Sequence, residues 1–568
     1  MHSYVRPNQY VAFRLPSDAT KILKVVPDTM IFLGKYGTFP ANQIIGRPFY
    51  LTFEVFDDAS ENNGHNLRLI TAAELHAETL IADGEGDGDE PDANGESLPM
   101  RTNREIVDDG SAQKLTLAEI EALKKESTGS GREIIAKILE SHSALDQKTA
   151  FSLAKYTLRK RKKYMKRFTV VPMDVSLLTN YMLQDKDAAR IMELRDELIG
   201  LLGCWANVHH AGNSSLDGAV ASKPRGRYLV IDETGGLVVA AMAERMGILY
   251  PHDGEDDQEQ QGSDDVPSTE DGQGEQQQAA SRHPRHAHMS APDNSIVLLH
   301  ANKQPNMSLL KYFGYDQDNP SETHPLYAHL KTVSWLQLLE PQEDTIYAQE
   351  PEHLTSDEIA ALKSSKRSTY YRKRARWERT QAVVNEARAG GFDGLVVATL
   401  MKPISVLKNT VPLLSGSAPV AVYSPVIEPL TEVMDLYSTA RKTAYITKRN
   451  QLGLQRQEQE KTADTTGIDS QDPFYPELAE EFYVNPTLLL APTLETARVR
   501  SWQVLPGRTH PMMSGRGGAE GYIFHASRVL PTQQTIQAAG NPSRKRRKMD
   551  TSATPADSST GADVEMNS

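Results

Sequence analysis

The sequence predicts an α/β protein: a doubly wound, Rossmann-like parallel-sheet domain, preceded by a small β-barrel with helices. Three observations predict it. The stretch Arg227–Gly247 reads as an apolar strand (Tyr228–Ile231), a turn at Gly235-Gly236, and an apolar helix from Leu237 to Gly247. Strand, glycine turn and helix open a nucleotide-binding α/β domain, because the glycines let backbone approach a ligand at the helix N-terminus. The apolar runs Ser295–Asn302, Gly394–Thr399 and Pro419–Tyr423 supply further strands, with helical stretches between them. The first 56 residues, by contrast, hold short β-rich runs at close spacing.

In chain order, Gln9–Leu15, Thr20–Val26, Met30–Leu33 and Tyr50–Phe56 are the strands of residues 1–56, separated by Pro16-Ser-Asp, Pro27-Asp and Pro40-Ala-Asn. Residues 57–100 are acidic and poor in apolar side chains, so no fold is expected there. Residues 101–170 are helical and basic. Thr116-Leu-Ala-Glu119 is a capping box ahead of Ile120 and Leu123, and Gly129-Ser-Gly131 interrupts the helix. Arg132–Glu140 then carries Ile134, Ile135, Ile138 and Leu139 on one face. A longer helix from about Lys148 runs into Lys155–Tyr164.

The α/β domain spans 171–535. Leu198–Val208 is expected as a helix beside the first strand, with Trp205 in the core. Pro325–Leu339 is expected as a helix with Trp335, Leu336, Leu338 and Leu339 as core, and Lys366–Arg379 as a helix bearing seven bases. A further helix begins near Pro429, and Val499–Val504 and Tyr522–His525 close the sheet. Residues 251–294, 446–476 and 536–568 have the composition of unfolded insertions and tail. In the tail, Arg544-Lys-Arg-Arg-Lys548 suits a nuclear localisation signal, which points to the nucleus.

The formal charge of −13 arises from 62 basic and 75 acidic residues, but the signs are segregated. Residues 83–96 hold seven acids and no base, whereas Lys155–Arg167 holds eight bases and no acid. Net acidity therefore does not exclude a nucleic-acid partner. The single cysteine, Cys204, rules out an internal disulfide. No apolar run is long enough to cross a membrane, so no membrane partner is expected. His283, His286 and His288 lack nearby thiols or a helical frame, so no metal is expected.

Chemistry at the glycine turn looks erased. A site for S-adenosylmethionine would want glycines spaced along the turn and a carboxylate ending the next strand. Here Thr234, Gly235 and Gly236 form a degenerate turn, Leu237 follows, and the next strand ends in His300. The strand Gly394–Thr399 runs out into Leu400-Met401-Lys402-Pro403, with nothing to grip an adenine or accept a proton. No catalytic residue and no bound cofactor are expected.

Binding residues are easier to find. The run Lys155–Tyr164 contains Lys155, Arg159, Lys160, Arg161, Lys162 and Lys163, interleaved with Tyr156 and Tyr164, with Phe168 just beyond. A solvated helix end or an import signal is the plainer reading of such a run. The bases, however, lead straight into the apolar Thr169-Val-Val171, so they ride on a folded element and offer phosphates a track. Arg372, Lys373 and Arg374 form a second basic-aromatic group, which a solvated face would equally explain. Arg508 and Arg516, in the glycine-rich loop Leu505–Gly518, can reach a phosphate, although such a loop is more often only a turn.

Taken together, these segments resemble the non-catalytic RNA-binding subunits of the eukaryotic tRNA (adenine-58-N1)-methyltransferase. The resemblance is carried by Asn42–Gly46, Asn103–Gln113, Lys155–Tyr164, Asp232–Gly236 with Glu244–Gly247, Asp393–Ala398 and Ser501–Pro511. Ile106-Val-Asp-Asp-Gly110 and Gln503-Val-Leu-Pro506 are its most specific parts. It implies a methyltransferase-type fold and a catalytic partner chain that binds S-adenosylmethionine, in a two-plus-two heterotetramer on tRNA. It also implies tRNA contacts at Asn103, Arg104, Glu105, Ile106, Val107, Asp108, Asp109, Gly110, Ser111, Ala112 and Gln113, at Lys155–Tyr164, and at Lys186 and Arg190 within Asp185–Met192. Two other functions fit the residues: an active S-adenosylmethionine-dependent RNA methyltransferase with an unusual turn, or an RNA-binding scaffold in translation initiation.

Overall fold

The computed structural model describes residues 3–57, 65–75, 114–126, 131–142, 150–210, 226–251, 294–462, 476–505, 508–512 and 519–531. They fall into two compact units, one comprising 1–436 with 488–530, the other 437–487 with 531–568.

In the first unit, β1 (Tyr10–Arg14), β2 (Thr20–Lys24), β3 (Met30–Phe32), β4 (Thr38–Pro40), β5 (Thr52–Asp57), β6 (His65–Ile70) and β7 (Arg167–Val171) make the N-terminal layer. The strands expected to form a small barrel pair as a five-stranded antiparallel sheet, β2-β1-β7-β5-β6, with the β3–β4 hairpin sharing its core. β6 lies inside the stretch expected to be unfolded. Its alternation, His65-Asn-Leu-Arg-Leu-Ile70, pairs in full register with β5. β7 arrives from beyond the helices and takes the central position, where Phe168 stacks on Phe39 at 4.6 Å and meets Phe53 and Phe13. Phe168 is therefore an anchor.

Beside this sheet stand α1 (Leu117–Glu126), α2 (Arg132–Glu140) and α3 (Ala150–Tyr164). The capping box forms as read: the Thr116 amide donates to Glu119 Oε2 at 2.7 Å and the Glu119 amide to Thr116 Oγ1 at 3.3 Å. Ile134, Ile135 and Ile138 of α2 bury against Tyr164 and Met165 at the end of α3. A charged network fixes α2 to the sheet. Glu54, buried on β5, and Glu74 are both bridged by Arg68 and Arg132. A buried carboxylate persists only when paired in this way.

α4 (Val175–Gln184) and α5 (Asp196–Trp205) lead into the second layer, built on β8 (Arg227–Asp232), α6 (Leu237–Met246), β9 (Ser295–His300) and β10 (Leu330–Ser334). It continues through α7 (Ser364–Ala389), β11 (Gly394–Ala398), α8 (Pro403–Thr410), β12 (Pro419–Ser424), α9 (Glu428–Leu436), β13 (Leu489–Glu495) and, after the hairpin β14 (Trp502–Leu505) and β15 (Arg508–Pro511), β16 (Tyr522–Arg528). The sheet order is β10-β9-β8-β11-β12-β16-β13. The first five strands are parallel, and β16 runs antiparallel to both neighbours. This is the parallel α/β sheet that the sequence predicts, closed by a reversed hairpin pair. Strand order reverses between β8 and β11, the crevice where doubly wound sheets receive ligands.

Four local expectations fail for physical reasons. Pro325–Leu339 is not one helix: short helices flank β10. Leu326, Leu330 and Val333 have helical spacing, yet parallel pairing with β9 wins, and of the expected core residues Leu338 is buried, Trp335 half-buried, and Leu336 and Leu339 exposed. The closing strand is β13, not Val499–Val504, whose end joins the separate β14–β15 hairpin. β13 hides its character behind Pro492 and a register shift between Leu490 and Thr493. Trp205 is 38% exposed, because the last turn of α5 meets polar side chains of β13 and β16. There its ring stacks on His525 at 3.7 Å and its Nε1 donates to Glu495 at 2.9 Å.

In the second unit, a helix runs Thr439–Thr462 through residues whose composition suggests no fold. Its Gln, Glu, Arg and Lys are good helix formers despite their polarity. Tyr445 meets Phe482 edge-on at 5.1 Å, and Lys448 pairs with Glu481 at 3.4 Å, joining it to the short helix Pro476–Glu481.

Candidate nucleic-acid interface and a covered glycine turn

β8 delivers Asp232 to the turn, and the turn consumes it. The buried carboxylate accepts from the Thr234 amide (2.7 Å), Thr234 Oγ1 (2.6 Å) and the Val239 amide (2.9 Å). Burial pushes this carboxyl above its ordinary range while those hydrogen bonds pull the other way. Gly235 (φ 77°) and Gly236 (φ 91°) then start α6 from the left-handed region that glycine favours.

The space over those glycines is taken by the protein's own chain. The Leu309 amide donates to Gly235 O at 3.0 Å. A Cβ on Gly235 would sit 3.4 Å from Leu309 Cγ, and one on Gly236 3.1 Å from Met307 Cα. Met307, Leu309 and Leu310 are buried, each contributing about 1.5–3 kcal/mol of apolar burial. Arg190 pins this segment, donating to Ser308 Oγ at 2.5 Å. Across the crevice, the Glu233 amide donates to Ala398 O at 2.9 Å and Glu233 Oε2 accepts from the Leu400 amide at 2.8 Å. His300, at the end of β9, donates from Nδ1 to Asn302 O at 2.7 Å, and burial holds its imidazole below the usual value. S-adenosylmethionine needs open glycine backbone and a free acid after β9; these residues do not fit it.

The basic helix α3 stays open. Arg159 and Lys163 are exposed, Lys160 lies over the Tyr156 ring at 4.7 Å and Lys163 over Tyr164 at 5.2 Å. Such contacts hold long side chains against the helix while their charges stay wet. Lys162 is tied to Asp18, Tyr156 rests edge-on against His142 at 5.1 Å, and Tyr164 is 8% exposed in the α2–α3 core. Tyr164 therefore has no open face on which a base could stack. β14 lies against α3, so the hairpin that opens β15 with Arg508 stands beside the basic run, although some 350 residues separate them. Trp502 and Val504 are exposed on that hairpin.

The remaining sites are dispersed. Lys186 lies over Tyr181 at 5.6 Å, and Arg190 serves the glycine-turn cover. Arg372 and Lys373 are exposed on α7, which packs on β10, whereas Arg374 is paired with Glu378 at 2.9 Å. Asn103–Gln113, Arg516 and the 544–548 run lie outside the described residues. Sequence reasoning missed Lys303, Arg376 and Arg379, which line a large cavity beside β9 and β10. The available signal was helical spacing, since Arg372, Arg376 and Arg379 fall on one face of α7. Lys303 offered none.

The Gcd10p family profile matches residues 4–363, more than half of the chain. The chain belongs to the Gcd10p family. The tRNA (adenine(58)-N(1))-methyltransferase non-catalytic subunit of Aspergillus oryzae is 68% identical to this chain over the whole of both chains. The Debaryomyces hansenii protein of the same name is 30% identical over 96% of this chain and 90% of its own. Among solved structures, the tRNA (m1A58) methyltransferase of Aquifex aeolicus covers 93% of this Gcd10p-family chain and 100% of its own, at 8% identity and a TM-score of 0.34. A SAM-dependent O-methyltransferase of Thermotoga maritima covers 94% and 97%, at 7% identity and a TM-score of 0.36. The fold assignment for this Gcd10p-family member rests on its own strand order.

Proposed function

We propose that this chain is the non-catalytic subunit of a tRNA (adenine(58)-N(1))-methyltransferase, gripping tRNA for a partner chain that binds S-adenosylmethionine and transfers the methyl group. The observation that carries the reading is Leu309 seated on Gly235, with Glu233 closing the crevice opposite. A methyltransferase-type sheet without room for a donor retains one use in this setting, holding the substrate. The target adenine is buried in the tRNA elbow, and exposing its pairing edge costs a few kcal/mol. Basic elements that grip phosphates beside the opened loop supply that free energy without reading bases. The grip is assigned to α3 and the β14–β15 hairpin, with Asn103–Gln113 and Arg516 joining them. Two copies of each chain form the assembly, and the tail run directs it to the nucleus.

The test uses the chain with its co-purified partner. Arg159→Glu, Lys160→Glu and Lys163→Glu together lower tRNA affinity at least tenfold and make its salt dependence shallower by about two to three units. Size-exclusion elution of the complex stays unchanged. Calorimetry of this chain alone with S-adenosylmethionine gives no heat of binding; micromolar binding there overturns the reading.

A further inference from the structure

Beside the C-terminal ends of β9 and β10 lies a cavity of about 880 Å³, bordered by His300 and by Met307 of the cover over the glycine turn. Its volume falls within the range of built ligand sites. Of the four cations that line it, three are Lys303 from the loop after β9 and Arg376 and Arg379 from α7. Among the described residues none of the three has a hydrogen-bond or ion-pair partner. Lys331, also on the wall, is already neutralised by Glu386 at 2.6 Å. Of the two lining acids, Asp344 accepts from the Ile346 and Tyr347 amides and from Gln337, none of which cancels its charge, so Asp344 and Asp318 face the three unpaired cations. Gln304, Thr332, Ser334 and Thr345 add polar groups, with Tyr327 and Val383 as part of an apolar floor.

The cations continue outward. Arg372, Arg376 and Arg379 follow i, i+4, i+7 spacing on α7, so one helix face carries positive charge from open surface into the cavity. That face spans about 10 Å at 1.5 Å per residue. Such a track exceeds one phosphate group and suits a chain of them. We propose that this cleft binds a single-stranded segment of RNA, its phosphodiesters along Arg372, Arg376 and Arg379 and one base in the cavity near Tyr327. The proposal rests on the RNA-binding reading above but uses a different surface from α3.

The experiment takes the full chain with its partner and a fluorescein-labelled oligouridylate of about ten nucleotides, alongside labelled tRNA. Lys303→Gln, Arg376→Gln and Arg379→Gln together weaken oligouridylate binding tenfold or more, with a salt slope shallower by about two. The same cleft substitutions made in the α3 triple variant weaken oligouridylate binding by the same factor, and a thermal melt checks that each variant is folded. Unchanged oligouridylate affinity in the cleft variant overturns the proposal. So does a wild-type complex that binds tRNA but no oligouridylate, in which case the reading of α3 survives. Displacement of the probe by AMP at equal nucleotide concentration also overturns it, since the site would then hold a nucleotide and not a strand. A wild-type complex that binds neither RNA ends both readings.

Discussion

At the scale of single residues, two positions carry tests, one at the covered turn and one in the N-terminal charged network. Gly236 sits at φ 91° with Met307 Cα 3.1 Å from where a Cβ would be. Gly236→Ala meets strain from both its backbone and its neighbour, so we expect a loss of about 1–3 kcal/mol in urea unfolding. Glu74 tests the charged network. Its carboxyl is held below the ordinary value of 4.5 by hydrogen bonds from Arg68 and Arg132. A depressed carboxylate contributes stability that is present above the unfolded value and lost as pH falls through the folded one. Melting midpoints of wild type and Glu74→Gln should therefore separate above pH 4.5 and converge in stronger acid.

At the scale of elements, α3 depends on the turn that precedes α2. A Cβ on Gly131 (φ 87°) would lie 2.2 Å from Tyr164 O, so only glycine lets the α2 start pass under the α3 end. Gly131→Ala should lower the melting midpoint and weaken tRNA binding together, whereas the exposed α3 substitutions weaken binding alone. Elements with strong local signals were legible in the sequence. The Thr116 capping box, the Ile134–Ile138 stripe, the Gly247 helix end and the four parallel strands from β8 to β12 that flank β10 carry their patterns in consecutive residues. β10 was not legible, because the spacing of Leu326, Leu330 and Val333 satisfies a helix, and only pairing with β9 decides otherwise. The cover on the glycine turn was equally hidden: no motif marks Met307–Leu310, although the adjacent glycines and His300 already depart from the pattern a donor site wants. The cleft cations were half visible, two of them in a basic run whose facing could be read only as a spacing.

At the scale of the whole molecule, the proposed grip of an acidic chain on an acidic polymer requires that its charges be segregated. On that proposal the net −13 would repel RNA at long range, while Lys155–Arg167 would attract it locally. Screening therefore acts in two directions. Modest salt weakens the repulsion between bulk charges, and counterion competition then dominates as more salt is added. Deleting residues 83–96, with their seven acids, should raise the association rate for tRNA at low ionic strength and leave the rate near 0.5 M salt unchanged, as stopped-flow measurement would show.

Leu309 resting on Gly235 has a metabolic corollary. A groove filled from within has no empty state to stabilise, so the melting temperature of this chain should not move as methyl donor is titrated in, whereas a donor-binding chain is stabilised by mass action. The proposed RNA grip would then keep its shape through donor starvation, and under scarcity the enzyme would stall with its substrate still seated.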